Sequence, residues 1–498
     1  MTLLAPPLLS PLRIGKRMSS CISLATAFNE IRSPSTRKLV RVPPPAAAAD
    51  CLYAIESAGK AFTSWSSTTP SFKADIFRKA ADVLGSPEFS KQNVRGEGDE
   101  AGMAGYWASL VDVKATKELL VQSATLPYEV AGDVLPSDMG SDAFAYKRPM
   151  GVILFIIPWN APLGILMSSV VPALAAGNAV VLCTSEQSPA CQQLAGDIFK
   201  EASRQHFAGL PDGVLNTVHV SKEDATARVS EMIAHPAVRK IAFVGSDLVG
   251  KIVAAEAAKH LKPCALELGG KAPAVILDDA NVEAAARAVV SGAMISNGQS
   301  CLCTKRAIVQ RGIANEFIRR VKAIALRLKV GGGCKMSCSS SEAAAENIVS
   351  MVNDAVNGGA CLLAGDMKHD GPWVQPHVVL GAKPGDRLWD RESFGPVLAF
   401  AVVDTVEDAI TMANATSYSS NASIWTEDVG AALQLSRRIT SCRVWVNPST
   451  LGADNGGSPS AFGGSSGYGS FDIDTFLDSQ LVCLSPSGQE RRFFLFDD

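Results

Sequence analysis

The sequence predicts an α/β protein with two doubly wound parallel-sheet domains. Its 498 residues exceed what one core usually organises. Strand-like and helix-like segments alternate in two successive stretches of the chain. Residues 149–185 carry no charge at all, as expected of strands covered on both faces. Apolar residues make up 47% and charged residues 19%, which excludes a disordered or coiled-coil chain.

The first alternation extends from Cys51 to Phe243. Apolar residues recur at helical intervals over residues 51–84, and Pro70 with Ser71 is a typical helix start. The uncharged run is long enough to cross a bilayer, but prolines and glycines interrupt it, so we favour buried elements over a membrane span. The expected elements are a strand at 151–157, a helix at 163–176, a strand at 179–182, a helix at 190–201, a strand at 215–220, a helix at 222–233 and a strand at 240–243.

The second alternation begins after a glycine-containing junction at residues 264–271. Gly269 and Gly270 in this junction permit the close backbone approach expected between domains. A loop rich in Gly, Cys and Ser at residues 331–341 is expected to be exposed. Residues 471–484 alternate like an edge strand, which needs a partner within the chain or from another subunit. The expected elements of the alternation are a strand at 274–277, a helix at 282–291, a strand at 306–310 and a helix at 315–326.

Charge and cysteine usage narrow the partners and the compartment. The net charge of -3 and the lack of a long Lys/Arg run argue against nucleic acid and anionic membranes and favour a small-molecule substrate. The twelve cysteines lack paired spacing, and the six histidines form no ligand-spaced cluster, so we expect free thiols and no metal site. Residues 1–20 contain three basic and no acidic residues, yet are rich in proline. We favour a disordered extension and a cytoplasmic location, with a mitochondrial presequence as the alternative.

Three residues have the chemistry of a catalytic site. Cys301 follows an apolar helical segment and would present a thiol on a loop, where a thiolate can add to a carbonyl carbon. Glu267 precedes the junction glycines, and in a water-poor pocket its carboxyl could act as a base. Asn160 lies in a proline-flanked turn and could donate to an oxyanion. Individually, an inert thiol is at least as common at Cys301, an N-cap or salt-bridging carboxylate is the favoured interpretation of Glu267, and a turn asparagine explains Asn160 equally well.

A fourth feature is a group of small residues at the start of a predicted helix, after the strand that ends at Phe243. Gly245, Ser246 and Gly250 would expose backbone donors at the N-terminus of a helix over residues 251–259. Such a terminus can bind a pyrophosphate, although the spacing differs from GxGxxG. The feature is weak evidence alone.

Together these features resemble the aldehyde dehydrogenase superfamily, in order and spacing, from about Tyr53 onward. The phrases around LELGGKAP, VWVNPST and RESFGPV are most similar to the branch acting on aromatic aldehydes, such as salicylaldehyde and vanillin dehydrogenases. The strings that carry the resemblance are PWNAP (158–162), GNAVVL (177–182), SEQSP (185–189), FVGSDLVG (243–250), LELGGKAP (266–273), NGQSC (297–301) and ESFGPV (392–397).

The resemblance implies a role for each candidate. Cys301 would be the nucleophile, Asn160 would hold the oxyanion with the Cys301 N–H, and Glu267 would activate water to hydrolyse a thioester. The cofactor would be NAD rather than NADP, because the carboxylate of Glu186 accepts from a ribose 2′-hydroxyl and repels a 2′-phosphate. Residues implied to bind the cofactor are Ile157, Pro158, Trp159, Cys183, Ser185, Glu186, Phe243, Gly245, Ser246, Val249, Gly250, Leu268, Gly269, Glu392 and Phe394.

The resemblance also implies how the chain divides into domains. An N-terminal extension would cover residues 1–24, and a homodimer or homotetramer would form through a β arm that pairs across a dimer. The remaining parts would be an NAD-binding domain at 25–128 and 149–264, a catalytic domain at 265–447, and the arm with the C-terminal tail at 129–148 and 448–498.

The sequence departs from the family pattern at three places. Cys183 stands where the family usually has a lysine that donates to the adenosine ribose. AFGGSSGYG at 461–469 is shorter than usual, and GGGCKMSCSSS replaces an acidic, proline-containing connection at 331–341. Two alternatives stay open: a catalytically degenerate NAD-binding relative with a scaffolding role, and an enzyme that transfers the acyl group to coenzyme A, against which Glu267 argues.

Overall fold

The computed structural model describes residues 29–136, 142–205, 209–451, 460–484 and 495, together with two short strands near the N-terminus. Two seven-stranded sheets, each covered by helices, form the cores of two domains, and a three-stranded antiparallel sheet forms an arm. The predicted fold class is confirmed.

The first sheet is built around a parallel core of five strands. From the central strand Val152–Ile156 the chain moves outward through two strands, then crosses back to Val238–Val244 on the other side. The gap between these two neighbours is therefore the topological switch point, where open α/β sheets bind ligands at the strands' carboxyl ends. The strand order is 460–462, 467–470, Cys264–Glu267, Val238–Val244, Val152–Ile156, Ala179–Thr184 and Leu215–His219.

Apolar helices cover the first sheet on both faces. The helix Gly164–Ala175 is almost entirely buried, as its uncharged sequence predicts. Phe77 and Phe199 meet edge to face between two further helices. None of the helices in the described parts of the chain is long and apolar enough to cross a membrane. The helices of this half are Ala48–Ser66, Pro70–Leu84, Pro87–Glu100, Gly105–Trp107 continuing as a π-helix Ala108–Ala115 and as Thr116–Gln122, Gly164–Ala175, Pro189–Arg204, Ala225–Ala234 and Asp247–Lys259.

The second sheet is parallel except for one edge strand. Arg306 is buried within it, where Nε donates to the Lys271 carbonyl at 2.9 Å and the guanidinium lies 5.1 Å from the ring centre of Trp389. The strand order is Cys361–Ala364, His377–Leu380, Val397–Val403, Thr304–Gln310, Ala272–Ile276, Asn421–Trp425 and Arg443–Val446. The helices are Val282–Met294, Arg311–Ala325, Glu342–Asn357, Arg387–Asp390, Val406–Asn414 and Val429–Ser436.

A short segment joins the carboxyl end of a strand in the first sheet to the amino end of a strand in the second sheet. Cys264–Glu267 belongs to the first sheet, and Ala272–Ile276 of the second sheet begins after a short extended link. The domain boundary expected at residues 264/265 thus falls inside a strand of the first sheet. Because of this link, the carboxyl edge of the first sheet faces the amino edge of the second, and loops from both edges can share one site.

The C-terminal strand finds its partner within the chain. Leu477–Cys483 pairs antiparallel with Ala143–Pro149, which in turn pairs with Asp133–Leu135. The edge strand expected at 471–484 therefore exists, although it begins at Leu477. The tail also adds strands 460–462 and 467–470 to the first sheet, a contribution that the expected arm-and-tail assignment of 448–498 does not contain.

The N-terminal extension expected at residues 1–24 is described only at two short strands. Arg13–Ile14 and Arg17–Met18 pair antiparallel. The rest of that extension lies outside the described residues.

Candidate active site

Three chain segments bring the predicted catalytic residues to one loop. Glu267 is the last residue of its strand and is 4% exposed, and Asn160, after the central strand, is 6% exposed. Asn160 Nδ2 donates to the Gln299 carbonyl at 3.0 Å, two residues before Cys301. Gly270 lies against the Cys301 backbone, since a Cβ there would be 2.0 Å from the Cys301 carbonyl oxygen. The structure thus brings Asn160 and Glu267 to residues 296–301, which we call the nucleophile loop because the resemblance implies that Cys301 is the nucleophile.

A left-handed backbone shapes the nucleophile loop. Ser296, Asn297 and Gly298 have φ values of 48°, 59° and 67°, a conformation that reverses the chain after the helix Val282–Met294. Such values are uncommon for residues other than glycine, and they persist only where surrounding contacts enforce them. One such contact comes from the buried Lys305, whose Nζ donates to the carbonyls of Gly298 and of Gly395. The loop is therefore held rigidly.

The loop at residues 331–341 supplies further support, and here the expected full exposure is wrong. Residues 336–339 are buried. Gln299 Nε2 donates to the Cys338 carbonyl at 2.9 Å, and Gln299 Oε1 accepts from the Ser340 N–H at 2.9 Å. Asn297 Nδ2 donates to Ser339 Oγ at 3.0 Å. Burial follows because these small polar groups find their hydrogen-bond partners in the nucleophile loop rather than in water.

Burial sets the protonation of the thiol and the carboxyl. Loss of hydration raises the pKa of Glu267 to about 8, although the positive charge of Arg443 opposes the shift. Among the described residues Glu267 Oε2 has no hydrogen-bond partner. Burial also raises the pKa of the Cys301 thiol well above its usual value, and the negative charges of Glu267 and Glu392 add to the effect. The thiol is therefore protonated at neutral pH and would need a base in order to react, and the charge of Glu267 acts on it.

The predicted cofactor residues line the carboxyl ends of four adjacent strands. Ile157, Pro158 and Trp159 follow the central strand, and Gly245 and Ser246 follow its neighbour across the switch point. Ser246 Oγ accepts from the Val249 N–H at 3.3 Å and so begins the helix Asp247–Lys259. The other candidates at this edge are Ser185 and Glu186 beyond Ala179–Thr184, Phe243 in its strand, Gly250 in the helix, and Leu268 with Gly269 beyond Cys264–Glu267.

Glu392 and Phe394 reach the same place from the second domain. The rings of Phe394 and Trp159 meet edge to face, with centroids 5.9 Å apart and planes at 84°. Glu392 Oε1 accepts from the Gly270 N–H at 3.0 Å. A loop of the second domain, between the helix Arg387–Asp390 and the strand Val397–Val403, thus bounds one end of the crevice at the switch point, next to the nucleophile loop.

These features fit a dinucleotide. The N-terminus of a 13-residue helix offers N–H donors to a pyrophosphate, and the half-exposed carboxylate of Glu186 lies one strand away from the central strand. A Cβ at Gly250 would lie 2.5 Å from Leu268, so glycine permits close packing of this helix on the sheet. Ser246, Glu186 and Glu392 could therefore hold the pyrophosphate and the two ribose ends.

Cys183, which the resemblance implies to lie at the cofactor site, is buried. It is 4% exposed and packs in the core with Cys51 on the face covered by the helix Ala48–Ser66. Burial raises the pKa of its thiol to about 12. Cys183 therefore offers the crevice neither surface nor a useful donor, because its short side chain ends inside the apolar core.

The sequence did not reveal Gln192, which ties two strand ends together. Its Nε2 donates to the Pro158 carbonyl at 2.8 Å and to the Ile157 carbonyl at 3.3 Å, and its Oε1 accepts from the Ser185 N–H at 2.7 Å. The available signal was a polar residue in helical phase with buried Ala195 and Phe199. Gln192 therefore holds together two strand ends at the carboxyl edge of the first sheet, where the crevice lies.

Within the described parts of the chain, no group of three or more His, Cys, Asp or Glu side chains is arranged to hold a metal ion. The cysteines that the structure describes are all free of disulfide bonds.

A thiol, a carboxyl and an amide assembled between two parallel sheets are typical of an enzyme that forms a covalent intermediate. The family model described as "Aldehyde dehydrogenase family" matches residues 24–482, and the chain belongs to this family of oxidoreductases that act on aldehydes.

Individual relatives point to the predicted branch. The chain is 36% identical over 485 residues to a vanillin dehydrogenase of Pseudomonas fluorescens, covering 95% of this chain and 97% of that protein. A solved salicylaldehyde dehydrogenase from Pseudomonas putida G7, complexed with salicylaldehyde, superposes with a TM-score of 0.90 at 30% identity, covering 97% and 99% of the two chains. A structure of PnpE in complex with nicotinamide adenine dinucleotide gives a TM-score of 0.90 at 28% identity, covering 98% and 100%. The resemblance stated from the sequence is confirmed.

Proposed function

We propose that the protein oxidises an aromatic aldehyde to the carboxylic acid, with NAD as the oxidant and a covalent thioester on Cys301. The observation that carries the proposal is the convergence of Cys301, Glu267 and Asn160, from three distant segments, beside a crevice suited to a dinucleotide.

The chemistry follows from the properties of these side chains. Cys301 Sγ forms a bond to the aldehyde carbon while its proton passes to Glu267, directly or through water. The oxygen that becomes negatively charged is held by Asn160 Nδ2 and the Cys301 N–H, as the family resemblance implies. NAD, when bound, supplies the oxidising equivalent by accepting hydride from this carbon. Glu267 releases the first proton to solvent and, ionised again, takes a proton from water as the hydroxide adds to the thioester. That proton returns to the Cys301 sulfur as the acid is released.

Glu186 supports NAD over NADP. Its half-exposed carboxylate follows the strand beside the central strand, where the family resemblance puts the adenosine ribose. A carboxylate accepts hydrogen bonds from a 2′-hydroxyl and repels a 2′-phosphate. The relative solved with nicotinamide adenine dinucleotide is consistent with this choice.

The aromatic substrate class rests on the relatives named vanillin and salicylaldehyde dehydrogenase. A screen of NADH formation by the purified chain, with hydroxybenzaldehydes beside alkanals, tests it. We expect kcat/KM to be higher for the aromatic aldehydes. Cys301→Ala should abolish turnover, whereas Cys303→Ala, which changes a buried thiol two residues away, should retain it.

Three outcomes would contradict the proposal. Preference for alkanals would remove the aromatic assignment. NAD binding in calorimetry without turnover of any aldehyde would favour the scaffolding alternative. Formation of acyl-coenzyme A by mass, dependent on added coenzyme A, would replace hydrolysis with acyl transfer.

We also propose a homodimer or homotetramer that forms through the arm, in the cytoplasm or alternatively in mitochondria. Val134, Leu135, Tyr146 and Leu481 of the three-stranded sheet are large apolar residues exposed to solvent. Exposed apolar groups clustered on one element favour association. Light scattering on the full chain tests this, and a monomer at micromolar concentration would contradict it.

A further inference from the structure

Two buried carboxyl groups lie beneath the turn that carries Asn160. Glu97 comes from the helix Pro87–Glu100 and Asp112 from the π-helix Ala108–Ala115, and both are fully buried. Asn93 Nδ2 donates to Glu97 Oε1. Glu97 Oε2 and Asp112 Oδ1 have no hydrogen-bond partner outside this pair among the described residues, and the negative charge of Asp112 acts on Glu97. One proton between them satisfies both oxygens.

The proton belongs to Glu97. Burial raises the pKa of Glu97 well above its usual value, and the negative charge of Asp112 raises it further. Burial raises the pKa of Asp112 to about 6, opposed by hydrogen bonds from Leu163, Glu97 and Gly164. At neutral pH Glu97 is therefore neutral and donates, while Asp112 is a carboxylate and accepts. Charged acceptors form shorter and stronger hydrogen bonds than neutral ones.

Asp112 fixes the start of the helix that follows Asn160. Its Oδ2 accepts from the Leu163 N–H at 2.9 Å, and the nearby Gly164 N–H helps to hold the pKa of the same carboxyl down. A Cβ at Gly164 would lie 2.7 Å from Asp112 Oδ1, so the carboxylate touches the backbone. Leu163 has no capping side chain, and Asp112 supplies the missing acceptor from another element.

The turn at residues 157–163 is therefore held at both ends. Gln192 binds the carbonyls of Ile157 and Pro158, and Asp112 binds Leu163 three residues after Asn160. Given the proposed function, we propose that Asp112 is a positioning residue for the reaction: it sets where Asn160 Nδ2 stands relative to the nucleophile loop, and so the rate of attack by Cys301.

A double-mutant cycle tests this proposal. Asp112→Ala should lower kcat at saturating aldehyde and NAD by about 10- to 100-fold, since small displacements of a catalytic group cost up to about that much. The dissociation constant for NAD, measured by calorimetry, should stay within about twofold, because Asp112 does not touch the crevice. On an Asn160→Ala background, Asp112→Ala should lower kcat no further, because the group that it positions is gone.

Matched variants separate positioning from general damage. Asp112→Asn keeps an acceptor oxygen for Leu163 and should restore most of kcat. Thr116→Val removes a buried hydroxyl that lies 3.5 Å from where a Cβ at Gly164 would stand. This variant should leave kcat unchanged. If Asp112→Ala does not fold, the same cycle is run with Glu97→Ala, which removes the donor to Asp112 together with the acceptor of Asn93 Nδ2. Its smaller loss of kcat should likewise vanish beside Asn160→Ala.

Different outcomes would overturn the positioning role of Asp112 and the proposed function. Losses in kcat that multiply in the double variant would overturn the positioning role, as would full activity of Asp112→Ala. An Asn160→Ala variant with undiminished kcat would instead overturn the oxyanion role in the proposed function.

Discussion

Gly270 and Cys301 are in backbone contact across the junction between the two sheets. A Cβ at Gly270 would lie 2.0 Å from the Cys301 carbonyl oxygen. The segment that carries Glu267 out of the first sheet thus passes directly against the nucleophile loop. The distance between Glu267 and Cys301 therefore depends on the absence of a side chain at residue 270.

Gly270→Ala should therefore separate these groups. A contact at 2.0 Å with backbone atoms cannot be relieved by rotating a side chain, so the loop must shift. We expect kcat to fall by about 100-fold or more, because catalysis is sensitive to displacements near 1 Å. Steady-state kinetics measure this. The control is Gly332→Ala, where a Cβ would meet nothing within 4 Å, and equal activity of both variants would contradict the prediction.

Glu267→Gln should slow acylation of the thiol and, more severely, hydrolysis of the thioester. The amide accepts a proton neither from the thiol nor from water, but a thiol loses its proton to solvent far more easily than water does. The thioester on Cys301 should therefore form slowly and accumulate. Intact-protein mass spectrometry after mixing with aldehyde and NAD should show an adduct of the acyl mass. If wild type and variant release acid at the same rate, Glu267 is not the base for hydrolysis.

The raised pKa of Glu267 also predicts how stability depends on pH. In the folded protein the Glu267 carboxyl keeps its proton up to about pH 8. In the unfolded chain the same carboxyl loses its proton near the ordinary pKa of 4.5. This carboxyl therefore costs no stability below pH 4.5, and destabilises the fold progressively as pH rises to about 8. The free energy of unfolding of Glu267→Gln, relative to wild type, should increase from about pH 5 to about pH 8, by on the order of a few kcal/mol. A difference independent of pH would contradict this.

Gln299→Ala should loosen the nucleophile loop from residues 336–340. The change leaves the Cys338 carbonyl and the Ser340 N–H without partners, and each buried unsatisfied group costs about 1–3 kcal/mol. We expect a lower melting temperature and a reduced rate of acylation. Gln187→Ala, a half-buried glutamine whose side chain makes no described contact with this loop, is the control. Unchanged stability of Gln299→Ala would show that the two loops are independent.

Glu186→Gln should weaken the preference for NAD over NADP. Removing the charge abolishes repulsion of a 2′-phosphate while an acceptor oxygen is kept for the ribose. The ratio of dissociation constants for the two cofactors, from calorimetry, should move toward one. Glu223→Gln removes the same charge from an exposed position after the next strand and should leave the ratio unchanged. An unchanged ratio for Glu186→Gln would place the discrimination elsewhere.

Local pattern was sufficient for most elements of the fold. The uncharged run predicted a strand, a helix and a strand, which appear as Val152–Ile156, Gly164–Ala175 and Ala179–Thr184. Periodicity works here because each element buries a complete face. It failed for the loop at 331–341, because burial there depends on hydrogen bonds to Asn297 and Gln299, which are distant in sequence.

The sequence by itself determined the alternation of strands and helices and the family, and it indicated the candidate thiol, carboxyl and amide, because these depend on local pattern and on strings of adjacent residues. Only the tertiary structure decided that Cys183 is buried in the core, that Gln192 joins two strand ends, and that Asp112 caps the helix beyond Asn160. These relationships depend on which segments pack together, and contacts between segments leave no periodic trace in the chain.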